Sequence, residues 1–319
     1  MSELSLYSPP VCRRFLAGGA EPLRLSWSAA AALAGGGAAL ALIGHVLRAS
    51  GDFGPAVAQW PAIAASLVPA LLLAGLTARW LGSRTGVLAG LLLIGSILLI
   101  PVPWGAIESL FCGAVIVAMG AFALGNASGR LPLIDRRATR WTFYVAAASC
   151  FVLAGPIGPA AVFATIPLFL VLSTDARMLG FLADPVGIGI LLLVGICRWA
   201  SPAGLHEAWA PVAALSGEAL GPPIGPIEAV AALAVATLPW LPAVALAVVV
   251  GLHRGHYATP IWKLFASWLL GPLALLAWGP FRHGVYLGVL LPPLAAIGAV
   301  GLAGVFAACR RRWQGLRGG

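Results

Sequence analysis

Ionisable residues at the ends of long apolar segments are the first candidates for chemistry in this chain. Glu108 lies in Ala106-Ile107-Glu108-Ser109-Leu110, at the start of an apolar segment and with no Lys or Arg beside it in sequence. A carboxylate deep in hydrocarbon costs about 2.5–3.5 kcal/mol, so a partner or a functional cavity is expected around it. The alternative interpretation is a hydrated residue at the membrane interface.

Basic residues precede the last apolar segment, in Phe281-Arg282-His283-Gly284-Val285-Tyr286. A guanidinium group is suited to phosphate or carboxylate, so Arg282 predicts an anionic ligand, with a phospholipid headgroup as the alternative. Arg198 ends another apolar segment and is a further candidate cation for the same ligand. Asp52 is a second candidate carboxylate, and its alternative is a solvated turn residue.

Metal chemistry has little support in this sequence. His206, Glu207, Glu218 and Glu228 share one polar stretch, but no helical i,i+4 spacing unites them as zinc ligands. The five cysteines show no CxxC or Cys/His spacing, which predicts inert thiols and neither a metal site nor disulfides. We therefore predict no metal and no cofactor.

The elements that must position these residues are long apolar segments. Most are about 17–24 residues long, enough for a helix to cross ~30 Å of hydrocarbon. The segments are 28–47, 60–81, 86–102, 106–125, 141–154, 157–173, 180–197, 229–252, 264–280 and 285–308. They predict an all-α, polytopic membrane helical bundle of about ten transmembrane helices.

The basic residues sort by side of the membrane. When the chain is threaded back and forth with its N-terminus inside, sixteen of the 19 Lys and Arg fall on one side and three, Arg48, Arg198 and Arg282, on the other. This is the positive-inside bias of a protein with both termini in the cytoplasm. The pattern predicts a cytoplasmic segment over 1–26, a transmembrane domain over 27–309 with an outer loop at about 198–228, and a basic cytoplasmic tail over 310–319.

The composition excludes other classes of protein. With 61% hydrophobic and 9% charged residues, the chain carries too much apolar surface for one water-soluble core, so lipid must be its main solvent. The net charge of +9 is spread over loops and tails without a contiguous patch. Anionic lipid headgroups explain this charge better than nucleic acid does.

Four motifs in order resemble those of GT-C glycosyltransferases, in the branch of the lipid A aminoarabinose transferase and the protein O-mannosyltransferases. Residues 57–66, which begin Val57-Ala58-Gln59-Trp60-Pro61, and residues 77–90, with the basic turn Ala78-Arg79-Trp80-Leu81-Gly82-Ser83-Arg84, resemble that family's second and third spans. The segment around Glu108 resembles its acidic fourth span. Phe151-Val152-Leu153-Ala154-Gly155-Pro156 resembles a "LTKGP" break, and residues 281–295 resemble its last span.

The resemblance implies a bacterial inner-membrane protein that transfers a sugar from a polyprenyl-phosphate donor on the outer face. It implies a catalytic role for Glu108, with Asp52 as the carboxylate of the first outer loop. It assigns the donor phosphate to Arg282 and His283, with Tyr286 beside them and Arg198 as a further cation. The expected partners are the lipid-linked sugar and membrane lipids.

Two departures from the family keep a second interpretation open. The first outer loop is short, with Asp52 as its sole carboxylate, and Ala154 stands where the family has Lys. The alternative is a non-catalytic, GT-C-derived pseudoenzyme that serves as a structural subunit of a larger membrane complex with partner membrane proteins. Whether the chain is an enzyme is therefore open on sequence grounds.

Overall fold

A computed structural model describes residues 55–99, 106–127, 133–155, 157–173, 177–199, 223–224, 226–253, 259–276 and 281–317. In chain order the first helices are α1 (Pro55–Leu81), α2 (Ser83–Leu99), α3 (Ala106–Ala127), α4 (Leu133–Ala154), α5 (Ile157–Ser173), α6 (Arg177–Leu182) and α7 (Pro185–Trp199). They are followed by α8 (Pro226–Thr237), a 3-10 turn (Leu238–Trp240), α9 (Leu241–His253), α10 (Pro260–Leu276) and α11 (His283–Arg317). Strands β1 (Pro223–Ile224) and β2 (Phe281–Arg282) form one short antiparallel pair.

Three of the described helical segments are long and apolar enough to cross a membrane: Ile107–Gly125, Val230–His253 and Leu287–Arg310. Shorter apolar helices correspond to α1, α2, α5, α7 and α10. The described chain is helical apart from one short strand pair, and its apolar helices support the predicted membrane-integral character. The count of ten spans and the N-in, C-in orientation stay predictions, because the first predicted span, 28–47, lies outside the described residues.

A glycine forms the tight turn between two of the described helices. Between α4 and α5, Gly155 has a φ of +66°, a left-handed conformation in which a side chain would be strained. The Gly158 N–H donates to the Gly155 carbonyl at 3.1 Å. The chain therefore turns tightly at Gly155.

The bundle is centred on α3 and α11, whose apolar windows are each 67% buried, against 28% for the window that spans α8 and α9. Helix α11 contacts α2, α3, α9 and α10. Aromatic rings fill the space between α3, α4, α5 and α6: Phe122 packs edge-on against Phe169 and Phe181 at centroid distances of 5.3 and 6.2 Å. The less buried helices present aliphatic side chains outward, as expected where lipid is the solvent.

Candidate functional site

Glu108 lies in the first turn of α3 and is only 4% exposed. Its neighbour Ser109 is also buried. The free backbone N–H groups of a helix N-terminus favour negative charge, so this is a position that stabilises a carboxylate. Because its side chain is buried, Glu108 is not a fully hydrated residue at the membrane interface.

The start of α11 lies against the start of α3. A Cβ built on Gly288 would come within 2.9 Å of the Phe111 ring and 3.7 Å of Cys112 Cβ, so side chains of α3 pack directly against the α11 backbone there. Glu108 precedes Phe111 by three residues, or about 4.5 Å along the axis, and His283 precedes Gly288 by five residues, or about 7.5 Å. The fold therefore brings Glu108 and the backbone of His283 to one helix contact.

The β1–β2 pair joins a third helix start to this region. Arg282, which immediately precedes α11, pairs with Pro223, which lies three residues before α8. Glu228 occupies the first turn of α8 and is exposed. The starts of α3, α8 and α11 thus gather at one end of the bundle, which the charge pattern of the sequence predicts to be the outer one.

The other predicted site residues are placed less fully. For Arg198, Arg282, His283 and Tyr286 the structure describes the backbone, at the end of α7, in β2 and in the first turn of α11. Asp52 lies outside the described residues. A single cavity shared by these side chains and Glu108 stays a prediction. No group of three metal-ligating side chains occurs among the described residues.

A second polar cluster, which the sequence did not single out, lies at the opposite end of α3. The Arg140 guanidinium carbon stands 5.9 Å from the centroid of the Phe181 ring, and the Tyr144 hydroxyl donates a hydrogen bond to the Leu182 carbonyl. Arg140 and Tyr144 belong to α4, and Phe181 and Leu182 to α6. The i,i+4 spacing of Arg136, Arg140 and Tyr144 is the signal that could have identified this cluster.

Comparison with solved structures identifies the fold. The chain matches the crystal structure of ArnT from Cupriavidus metallidurans in the apo state, with a TM-score of 0.56 and 16% sequence identity. The match covers 76% of this chain and 45% of that one, so the chain spans less than half the length of ArnT. No protein-family model and no curated protein sequence matches the chain.

The likeness to ArnT supports the GT-C-like fold that the four sequence motifs predicted. It does not single out a member of that class, because identity at this level speaks to the fold alone. Function has to be argued from the site.

Proposed function

We propose that this chain is a GT-C-type membrane glycosyltransferase that uses a polyprenyl-phosphate-linked sugar at the end of the bundle where α3 and α11 begin. The observation that carries the proposal is the burial of Glu108, 4% exposed, beside the start of α11 in a chain with an ArnT-like fold. Burial removes the hydration of the carboxylate and the helix N-terminus favours its charged form, so a functional role accounts for a charged group at this position.

The chemistry assigned to Glu108 is general-base catalysis. The acceptor hydroxyl gives its proton to the carboxylate as its oxygen attacks the anomeric carbon of the donor sugar. The bond between that carbon and the phosphate oxygen breaks, and the polyprenyl phosphate leaves with the negative charge. Asp52, in the first predicted outer loop, is the second candidate carboxylate for this role.

Cations near the leaving group are needed because negative charge grows on the phosphate as the bond breaks. We assign this role to Arg282 and His283, whose backbones lie in β2 and at the first position of α11. Arg198 is a further candidate, and Tyr286 would line the same pocket. A guanidinium binds two phosphate oxygens at once and so orients the donor as well as stabilising charge.

The test compares Glu108→Gln with Glu228→Gln in membranes supplied with polyprenyl-phosphate-linked sugars. Both variants lose one carboxylate from the first turn of a helix, but Glu228 is exposed and lies outside the proposed machinery. We expect Glu108→Gln to lower transfer by about 10²-fold or more, and Glu228→Gln to leave it unchanged. The amount of each protein in the membrane is measured in parallel to separate loss of chemistry from loss of folding.

Normal transfer by Glu108→Gln would remove Glu108 from the catalytic role. Absence of transfer by the unaltered protein, with every donor tested, would contradict the enzyme and favour the non-catalytic subunit. In that case gentle extraction should recover the chain in fixed ratio with other membrane proteins.

A further inference from the structure

Three arginines occupy the first two described turns of α4, at the end of the bundle remote from Glu108. Arg137 is exposed, and Arg136 and Arg140 are half-buried. Phe181, beneath Arg140, packs over Gly125 so closely that a Cβ on that glycine would come within 2.3 Å of the ring. Gly125 follows Glu108 by 17 residues, or about 26 Å along α3. This arginine cluster is therefore separate from the proposed catalytic end.

Arg140 has unused capacity to bind an anion. Its guanidinium carbon lies 5.9 Å from the Phe181 centroid, within the range of a cation–π contact. Its Nε is buried and has no hydrogen-bond acceptor among the described residues. A buried donor without an acceptor costs about 1–3 kcal/mol, so an oxygen ligand at this point would stabilise the arrangement.

The platform beneath Arg140 is firmly held. Phe181 packs against Phe122 and Phe143 at centroid distances of 6.2 and 5.9 Å. The hydrogen bond from the Tyr144 hydroxyl to the Leu182 carbonyl attaches the end of α6 to α4. Because the ring cannot move away, the guanidinium is presented in one orientation, which lowers the entropic cost of binding an oxyanion.

Two acidic residues near this end, Asp135 of α4 and Asp184, do not neutralise the cluster. Asp184 accepts a hydrogen bond from the Gly187 N–H at 3.3 Å and so caps the N-terminus of α7. Even if both carboxylates are counted in full against the three arginines, one positive charge is left. The cluster therefore favours an anionic ligand.

The exposed side chains of α4 indicate what kind of anion fits. Arg137, Trp141 and Val145 follow one another at i,i+4 spacing, with Trp141 48% and Val145 52% exposed. A cation, an interfacial tryptophan and an aliphatic side chain in this order match a headgroup phosphate, a glycerol region and an acyl chain. A free phosphate ion would need only the first of these.

We propose that Arg140, with Arg136 and Arg137, forms a binding site for the phosphate of an anionic phospholipid, and that Trp141 and Val145 contact its acyl chain. The charge pattern of the sequence predicts that this end faces the cytoplasm, where the inner leaflet supplies such lipids. The site does not depend on the proposed transferase activity. It attaches the α4–α6 corner of the bundle to the membrane surface.

The experiment measures retention of phosphatidylglycerol by the purified protein in native mass spectrometry, with phosphatidylcholine as the neutral reference lipid. Arg140→Gln is compared with Arg84→Gln, which removes one exposed arginine from the start of α2 and so matches the loss of charge. Loss of a charge-assisted hydrogen bond predicts about tenfold weaker binding of phosphatidylglycerol to Arg140→Gln. Binding to Arg84→Gln should equal that of the unaltered protein.

Two outcomes would overturn the proposal. Equal retention of phosphatidylglycerol by Arg140→Gln and Arg84→Gln would show that the cluster is no specific site. Displacement of the lipid by millimolar inorganic phosphate would assign the site to a free anion instead. If Arg140→Gln does not accumulate as folded protein, Arg137→Gln decides in its place, since that side chain is exposed and should be replaceable without loss of folding.

Discussion

The hydroxyl group of Tyr144 attaches the short helix α6 to the bundle. Tyr144 is 1% exposed, and its hydroxyl donates to the Leu182 carbonyl at the end of α6, a helix of six residues. So short a helix has little stability of its own, because few hydrogen bonds repay the cost of forming its first turn. Its order depends on contacts with α4.

Tyr144→Phe should loosen α6 and leave the rest of the bundle intact. Removing one hydrogen bond typically costs about 0.5–1.5 kcal/mol, and the aromatic ring itself is retained. We expect faster hydrogen exchange in residues 177–182 and little change in thermal stability. Thr142→Val is the control, because the Thr142 hydroxyl bonds only to the Ala138 carbonyl of its own helix. Equal exchange in both variants would contradict the attachment role of Tyr144.

The proposed role of Arg282 can be tested by measuring ligand binding instead of turnover. If its guanidinium holds the donor phosphate, Arg282→Ala should weaken retention of polyprenyl phosphate by about tenfold, while Arg282→Lys should keep part of it. The measurement is equilibrium binding of polyprenyl phosphate to the purified protein. Unchanged binding by Arg282→Ala would show that another cation binds the phosphate, and Arg198 would be tested next.

Close helix crossings hold the elements together. Helix α11 passes so near α9 that a Cβ on Gly301 would come within 2.0 Å of the Ala243 carbonyl oxygen. A side chain at that position would meet backbone that cannot rotate away. Inside lipid the hydrophobic effect does not drive helix association. Small residues at such crossings instead allow close van der Waals packing between the helices.

Gly301→Ala should therefore push α11 and α9 apart and destabilise the bundle by about 1–3 kcal/mol, the usual cost of overpacking. Gly304→Ala, three residues further along the same helix, is the control because nothing lies within 4 Å of its Cβ position. Thermal unfolding in detergent should show a lower Tm for the first variant and an equal or higher Tm for the second. A reversed order would contradict the crossing.

The orientation of the whole molecule follows from its charges. Sixteen of 19 Lys and Arg lie on one predicted side, and such a bias sets the side on which loops stay during insertion. In a protein freed of its five native cysteines, a membrane-impermeant thiol reagent added from outside should label a cysteine placed at Ser216 and not one placed at Ser128. The reverse labelling would invert the topology and move Glu108 to the cytoplasmic face.

At the whole-molecule scale, sequence patterns predicted the helices well because length and hydropathy are local properties. The predicted segment 157–173 coincides with α5, and 106–125 lies within α3. The predicted segment 229–252 corresponds to the candidate span Val230–His253, which contains a short 3-10 turn at Pro239, a residue without an N–H for the helix hydrogen bonds. The last helix continues to Arg317, through the boundary predicted at 309 and 310.

The sequence by itself determined that the chain is an integral membrane protein, because composition and apolar segment length reflect the solvent and not the neighbours of each helix. It also identified Glu108, since a carboxylate within an apolar stretch can be recognised from the sequence alone. Only the tertiary structure placed Glu108 beside the start of α11, and Arg140 over Phe181, 41 residues away along the chain. These neighbours depend on how helices rotate and cross, which is decided by the fit of side chains such as Phe181 over Gly125 and not by hydropathy.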